Sequence, residues 1–252
     1  MPPSILDREN QPSLAYYYSA PRDENADAPF VMFCGGYKSD MGGTKATYLE
    51  RLCQKRGLGY VRFDYRGHGA SDGAFIDGTI SAWCADAMDI YNAVSNGRRA
   101  IVVGSSMGGW IALLMALAMG DTLQGIVGIA AAPDFTVGLW EHKMNDAQRT
   151  EMLNTGRLEV PNDYSDEPYI FTKNLVDDGR DNLLLDRTHD VRVPITLLQG
   201  KQDADVAWET ALHIEKAFAQ ANVKTIFIDD GDHRLSRDQD LEILQAEVLA
   251  ML

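Results

Sequence analysis

The chain has 252 residues, 45% of them hydrophobic, and a formal net charge of −14. This length and hydrophobic share are enough for one large folded domain and exclude global disorder. The acidic charge argues against nucleic acids and anionic membranes as partners, because both repel a negatively charged protein. The longest apolar run, from Trp110 to Met119, is shorter than the ~20 residues that a membrane span needs.

The N-terminal residues and the cysteines predict a protein of the cytoplasm. The chain begins without a basic segment followed by an apolar one, so we expect neither a signal peptide nor a transit peptide. Cys34, Cys53 and Cys84 form no CxxC pair, and their odd number does not suit a set of disulfides. No HExxH, Walker lysine or dinucleotide fingerprint is present, so we predict no metal and no cofactor.

Apolar strand-like runs alternate with helical patterns along most of the chain. The predicted strands cover residues 5–8, 14–18, 30–34, 60–64, 100–103, 126–130, 195–198 and 224–228. The predicted helices cover residues 44–55, 79–94, 110–119, 208–220 and 237–252. This alternation is typical of the α/β class, with a mostly parallel central sheet flanked by helices on both faces.

The alternation stops between residues 134 and 190, which we call the cap segment. It lacks strand-like apolar runs and is rich in acidic residues, Asn and charged helical pieces. We expect a helical cap inserted into a single domain that spans residues 1–252. Its apolar and aromatic side chains are candidates for binding a substrate, although each of them could simply pack the cap onto the sheet. The candidates are Leu139, Trp140 and Tyr164, followed by Met144, Tyr169 and Phe171.

A Gly-x-Ser-x-Gly motif at residues 104–108 lies between a predicted strand and a predicted helix. Ser106 has a glycine two residues away on each side, whereas Ser105 does not. Serine is a weak nucleophile until a sharp turn exposes its hydroxyl and a base accepts its proton. Such a turn is tight enough to require glycine at these two positions. A phosphate-binding turn is the alternative, but it would favour a lysine or further glycines. We predict that Ser106 is a nucleophile.

An acid and a histidine follow later strands, in the order that this architecture requires. Reactive groups collect at the carboxyl ends of parallel strands, so the partners of Ser106 should follow strands further along the chain. Asp203 follows the strand at 195–198, and His233 follows the strand at 224–228. His233 would accept the Ser106 proton, and Asp203 would orient its imidazole. Asp205 is an alternative to Asp203.

Acyl transfer also needs hydrogen-bond donors for the oxyanion. We expect one donor to be the backbone N–H of Met107, which follows the nucleophile. The second should come from the glycine-containing loop after the strand at 30–34, where the chain can approach closely. Tyr37 N–H is the candidate, with Gly36 N–H as the alternative.

The segment at residues 64–72, Asp-Tyr-Arg-Gly-His-Gly-Ala-Ser-Asp, resembles the Asp-x-Arg-Gly-x-Gly-x-Ser loop of the α/β-hydrolase superfamily. The resemblance covers essentially the whole chain. In that superfamily this loop is mainly structural, which implies scaffold roles for Asp64 and His68. Segments 42–46, 62–65, 104–110 and 232–234 are similar to the mitochondrial palmitoyl-protein thioesterase and acyl-glucuronide esterase subfamily. The chain departs from the superfamily in having Gly35-Gly36 where the oxyanion loop often begins with His-Gly.

The resemblance implies an α/β-hydrolase fold and a serine hydrolase that forms an acyl-enzyme through Ser106, Asp203 and His233. The expected substrate is a small-molecule acyl ester or thioester, or an acylated protein, and we expect a bacterial cytoplasmic relative of the subfamily. Peptidases, C–C hydrolases and acyltransferases use the same three side chains, so these chemistries stay open. A non-catalytic ligand-binding protein or scaffold on the same fold is the alternative from another class. The sequence makes no prediction of the oligomeric state.

Overall fold

The computed structural model describes residues 2–161 and 167–252. Within these ranges, an eight-stranded sheet has the spatial order β1-β2-β4-β3-β5-β6-β9-β10. β2 pairs antiparallel with both β1 and β4, and the strands from β4 to β10 in this order run parallel. The strands are β1 (Ser4–Arg8), β2 (Gln11–Ser19), β3 (Phe30–Cys34), β4 (Tyr60–Phe63), β5 (Ala100–Ser105), β6 (Leu123–Ile129), β7 (Arg157–Val160), β8 (Tyr169–Thr172), β9 (Ile195–Gly200) and β10 (Val223–Ile228).

Helices cover both faces of the sheet. They are α1 (Thr44–Arg56), α2 (Ile80–Ser95), α3 (Met107–Met119), α4 (Phe135–Gly138), α5 (Asp146–Thr155), α6 (Lys173–Asp181), α7 (Glu209–Ala217) and α8 (Asp238–Leu249). Among the helices of the described ranges, none has both the length and the apolar character needed to cross a bilayer. The predicted α/β architecture, a mostly parallel sheet between two layers of helices, is confirmed.

Side chains that alternate along each buried strand form two cores, one on each side of the sheet. In β3, Phe30 and Met32 pack with residues of α2 and α3, while Val31 and Phe33 pack with residues of α1 and α8. Successive strand side chains point to opposite faces, so a strand between two helical layers must be apolar at every position. This explains the uninterrupted apolar run that marks β3 in the sequence.

The cap segment contains two strands that the sequence analysis did not predict. It lies between β6 and β9, which pair directly, and it holds α4, a π-helical turn at Leu139–Lys143, α5 and α6. β7 and β8 form a separate antiparallel pair within it. The cap segment therefore contains a short strand pair in addition to the helices that the sequence predicts. Each strand has only four residues with mixed burial, too short a pattern to be recognised by periodicity.

A buried cluster of charges joins the N-terminal hairpin to α2. The side chain of Asp86 in α2 is fully buried, and its Oδ1 lies 2.6 Å from Arg8 Nη1 and 2.6 Å from Arg66 Nη2. Arg8 also pairs with Asp89, whose side chain is 39% exposed. Two guanidinium groups thus share one carboxylate that has no access to water.

We expect Asp86→Ala to lower the free energy of unfolding by about 3–5 kcal/mol, because it leaves two largely buried arginines without their shared partner. The matched control is Asp89→Ala, which removes an exposed partner of Arg8 and should cost less than about 1 kcal/mol. Urea unfolding of both variants gives the comparison. Equal losses would show that the buried cluster contributes no more than a surface pair.

Candidate active site

Ser106 lies in a sharp turn between β5 and α3, with φ 54° and ψ −119°. A residue other than glycine adopts a positive φ only where its surroundings force it to. The Ser106 N–H donates to the Ile129 carbonyl at 2.9 Å, and the Ser106 carbonyl accepts from the N–H groups of Gly109 and Ala132. Hydrogen bonds on both sides of the residue hold it in this conformation.

The two glycines of the motif allow α3 to begin close against the sheet. A Cβ atom on Gly104 would lie 2.1 Å from the Gly108 carbonyl oxygen, and one on Gly108 would lie 2.1 Å from the Cys34 carbonyl oxygen. Neither backbone could accommodate a side chain at those distances. The predicted reason for glycine at these positions therefore holds in the structure.

Loops after β9 and β10 bring Asp203 and His233 next to Ser106. His233 Nε2 lies 3.1 Å from Ser106 Oγ, and His233 Nδ1 lies 2.9 Å from Asp203 Oδ2. An ionised carboxylate can only accept hydrogen bonds, so the proton of a neutral imidazole belongs on Nδ1. His233 Nε2 is then the acceptor for the Ser106 hydroxyl.

Further hydrogen bonds fix the carboxylate of Asp203. Its Oδ1 accepts from the backbone N–H groups of Asp205 and Val206, both at 2.9 Å, and its Oδ2 accepts from Gln199 Nε2 at 3.1 Å. Burial alone would raise the pKa of Asp203, but the hydrogen bond and charge of His233, together with the two N–H groups, hold that pKa below its ordinary value. Asp205 is exposed and contributes its backbone to Asp203, so the geometry favours Asp203 over Asp205 as the partner of His233.

Sequence reasoning did not identify Gln199 as part of this site. Gln199 is 2% exposed in β9, and its side-chain amide also donates to the carbonyl oxygens of Gly200 and Val206. The available signal was an amide side chain in a fully buried strand that is mostly apolar. Because a buried side-chain amide needs hydrogen-bond partners, Gln199 is expected to donate to polar groups at the end of the sheet.

Two segments of the chain carry backbone N–H groups near Ser106. Met107 is the first residue of α3, and residues 35–42, which we call the oxyanion loop, run between β3 and α1. A Cβ placed on Gly36 would lie 3.5 Å from Ser106 Cβ, so this loop passes beside the nucleophile. Among the described residues, the N–H groups of Gly36, Tyr37 and Met107 have no acceptor in the protein. Unpaired N–H groups beside the nucleophile are what an oxyanion site needs, and their role as donors stays a prediction.

A cavity of 1210 Å³ opens between Ser106 and the cap segment, with Ser106 and His233 in its wall. Leu139 lines it, as the sequence predicted. Trp140 is not among the described residues that line it, and its ring instead lies 5.3 Å from the Arg180 guanidinium. Tyr164 lies outside the described residues. The apolar and aromatic part of the wall includes Phe135, Leu139, Met144, Leu158, Tyr169 and Phe171.

Asp203, Asp205 and His233 also place three possible metal-ligand atoms within 4.8 Å of one another. A metal there would compete with existing hydrogen bonds, because His233 Nδ1 bonds to Asp203 and His233 Nε2 to Ser106. The arrangement suits proton transfer better than metal binding. The absence of a metal and of a cofactor stays a prediction.

The sequence profile described as the Alpha/beta hydrolase family matches residues 31–246. The chain belongs to the α/β-hydrolase family. A member of the family that the sequence resembles thus has this glycine motif, this sheet topology and these three side chains at the carboxyl edge of the sheet.

Known relatives match this hydrolase over nearly its whole length. The chain is 32% identical to the mouse mitochondrial palmitoyl-protein thioesterase ABHD10 over 246 residues, or 96% of this chain and 79% of the mouse protein. A putative hydrolase from Agrobacterium vitis S4 is similar in structure, with a TM-score of 0.91, 41% identity and coverage of 99% and 97% of the two chains. The structure of mouse α/β-hydrolase domain-containing protein 10 matches with a TM-score of 0.89, 30% identity and the same coverage. The predicted resemblance to this thioesterase subfamily is confirmed, whereas cytoplasmic localisation stays a prediction.

We expect Gly108→Ala to destabilise the hydrolase by about 1–3 kcal/mol, because the added methyl group would overlap the Cys34 carbonyl and push α3 away from β3. Gly138→Ala is the matched control. Gly138 has helical φ and ψ and no atom within 4 Å of the added methyl, so alanine should leave stability unchanged or raise it by up to about 1 kcal/mol. Thermal unfolding compares the two. A loss at Gly138 as large as that at Gly108 would contradict the steric explanation.

Proposed function

We propose that this hydrolase cleaves acyl esters or thioesters, with Ser106 as nucleophile, His233 as general base and acid, and Asp203 as the group that orients His233. The continuous hydrogen-bond chain from Ser106 Oγ through His233 to Asp203, at 3.1 and 2.9 Å, carries this proposal. Ser106, at one end of this hydrogen-bond chain, has a strained backbone and faces a large, partly apolar cavity. Nucleophile and base within hydrogen-bond reach, with the base oriented by a third group, are the arrangement that acyl transfer requires.

The first half-reaction forms an acyl-enzyme. Ser106 Oγ attacks the acyl carbonyl carbon while its proton passes to His233 Nε2, and Asp203 stabilises the imidazolium that results. The oxyanion accepts hydrogen bonds from Met107 N–H and from Tyr37 N–H, with Gly36 N–H as the alternative second donor. When the tetrahedral intermediate collapses, His233 gives the proton to the departing oxygen or sulfur.

The second half-reaction hydrolyses this intermediate. A water molecule attacks the acyl carbon of the ester on Ser106 while His233 Nε2 accepts a proton from the water. The same N–H groups bind the second oxyanion. Collapse then releases the carboxylic acid and returns the proton to Ser106 Oγ, so the protein ends as it began.

The apolar part of the cavity supports an acyl chain as the group held next to Ser106. Phe135, Leu139 and Phe171 give this part of the wall its hydrophobic character. Each buried methylene contributes about 0.8 kcal/mol, so a longer chain should bind more tightly until the cavity is filled. The mouse relative is a palmitoyl-protein thioesterase. We therefore propose an acyl ester or thioester of a small molecule, or an acylated protein, as the substrate.

We expect the wild-type protein to react with a fluorophosphonate probe and to hydrolyse matched acyl esters and thioesters from acetyl to palmitoyl. Ser106→Ala should lose labelling and at least about 10⁴-fold in kcat/KM, because it lacks the nucleophile. Circular dichroism of the variant checks that the fold is intact.

The outcomes of the acyl series separate the alternatives. A preference for long chains would support the acyl cavity, and a preference for thioesters would support similarity in substrate to the thioesterase relatives. Turnover of short esters alone would support Ser106 as the nucleophile and contradict a long-chain substrate. An unlabelled wild-type protein without turnover would favour a non-catalytic binding protein.

Asp203→Asn should lower kcat by about 10⁴-fold, because an amide cannot hold the imidazolium and favours the wrong tautomer of His233. Asp205→Asn keeps the backbone N–H that Asp203 accepts and should lower kcat less than about tenfold. Steady-state kinetics on one ester substrate measures both. The opposite order of the two effects would mean that Asp205 is the functional acid.

A further inference from the structure

The loop at residues 64–72, which we call the motif loop, holds the oxyanion loop at two points. Met41 N–H donates to Asp64 Oδ1 at 2.6 Å, and Lys38 N–H donates to His68 Nε2 at 3.2 Å. The second contact falls on the residue directly after Tyr37, the candidate oxyanion donor. A loop that resemblance identifies only as scaffold is thus bonded to the backbone beside the reaction centre.

The Lys38 contact lies in a turn that needs support. Ser39 N–H donates to the Gly36 carbonyl at 3.1 Å and closes a four-residue turn with Tyr37 and Lys38 at its centre. Of these two central residues, Lys38 alone has a positive φ, of 57°. This is the pattern of a type II turn, in which the second central residue is normally glycine. The hydrogen bond to His68 holds the central peptide of the turn in this less favourable orientation.

The partners of His68 define its protonation state. His68 is 4% exposed, and its Nδ1 lies 3.2 Å from the Arg66 carbonyl oxygen. A carbonyl can only accept and a backbone N–H can only donate, so Nδ1 carries the proton and Nε2 accepts from Lys38. Burial lowers the pKa of His68, against the opposing effects of the Arg66 carbonyl and the charge of Asp86. A protonated His68 would turn its Nε2–H towards Lys38 N–H and lose this bond.

The groups around His68 give an imidazolium little stabilisation. The rings of Tyr65, Phe75 and Trp83 pack against it, with centroids 5.0–5.6 Å away. Of the charged residues around it, Asp86 from α2 acts on His68 through its carboxylate, whereas Arg66 and Lys38 contact the ring through a backbone carbonyl and a backbone N–H. The Asp86 carboxylate is already neutralised by two arginines.

The turn is mechanically linked to the Tyr37 N–H. The Tyr37 hydroxyl donates to the Ile170 carbonyl in β8, and the ring stacks on Phe171 at 5.1 Å, so the side chain is fixed. Gly35 and Gly36 precede it and tolerate many backbone conformations. The Gly36 carbonyl that closes the turn belongs to the same planar peptide as the Tyr37 N–H, so the orientation of this N–H depends on the turn that the His68 bond stabilises.

We propose that His68 is a positioning residue, which as a neutral acceptor for Lys38 N–H fixes the turn that presents Tyr37 N–H to the oxyanion. The inference rests on the proposed hydrolase mechanism. It implies that the second oxyanion donor is correctly placed only while His68 is neutral, so protonation of His68 at acid pH should lower activity.

The test compares variants that keep or remove the acceptor. His68→Leu should lower kcat by about 10- to 100-fold. This loss is no larger than the loss expected when one oxyanion donor is removed directly. KM should change little. His68→Gln offers a side-chain oxygen to Lys38 N–H and should recover most of kcat. His189→Leu is the control, because His189 also binds a backbone carbonyl and stacks on an aromatic ring, but lies away from the oxyanion loop. Its kcat should not change.

The pH profile gives a readout that a purely structural role would not affect. Because burial lowers the pKa of His68, the loss of kcat that its protonation causes in the wild type should begin below the ordinary histidine value of about 6.5. His68→Gln has no imidazole at this position, so it should lack this loss of kcat and show a shallower acid limb. An unchanged kcat in His68→Leu, or equal losses in the Leu and Gln variants, would overturn the proposal, as would identical acid limbs.

The tautomer can be measured independently of turnover by ¹⁵N NMR of histidine-labelled wild-type protein, with His68→Gln used for assignment. At pH 7 we expect His68 to be neutral, with its proton on Nδ1. A charged ring or a proton on Nε2 would overturn the proposal whatever the kinetics of the variants. Absence of Ser106-dependent turnover in the wild type would instead reject the proposed function, and the NMR result would still test the His68 geometry.

Discussion

The close approach of α3 to the sheet at Ser106 is the constraint on which the rest of the site depends. The turn works only because residues 104 and 108 lack side chains and because the neighbouring strand β6 binds the Ser106 N–H. In this position, the serine hydroxyl is exposed at the edge of the sheet while its backbone stays in a strained conformation. The same turn places Met107, whose N–H is the proposed first oxyanion donor, directly after the nucleophile.

Parallel strands then bring the partners of Ser106 to the same edge of the sheet, although these residues are far apart in the sequence. Ile228 pairs with Gly200 at the ends of β10 and β9, so the loops that follow start side by side. A Cβ on Gly200 would lie 2.3 Å from the Gly231 carbonyl oxygen, which shows how tightly these loops pack. Asp203 and His233 therefore meet because both follow neighbouring strands, and the register of those strands sets their separation.

The parts of this hydrolase that were predictable have strong local signals. Buried strands such as β3 are continuous apolar runs, and Ser106 is marked by its glycine spacing. The strands β7 and β8 have no such signal, because four residues of mixed burial resemble a loop. Leu139 and Trp140 show a different limit: they are neighbours at the start of a π-helical turn, yet only Leu139 lines the cavity. Which of two adjacent apolar residues faces a cavity depends on tertiary packing that the sequence pattern does not contain.

The contacts of Tyr37 connect the chemistry to the cap segment. Its backbone belongs to the oxyanion loop, whereas its hydroxyl binds the Ile170 carbonyl and its ring stacks on Phe171, both in β8. Burial raises the pKa of the Tyr37 phenol, so the hydroxyl keeps its proton and remains a donor to that carbonyl. The strand that forms part of the substrate cavity and the loop that would bind the oxyanion are therefore held by one side chain. A displacement of β8 would change the shape of the cavity and the support of the oxyanion loop together.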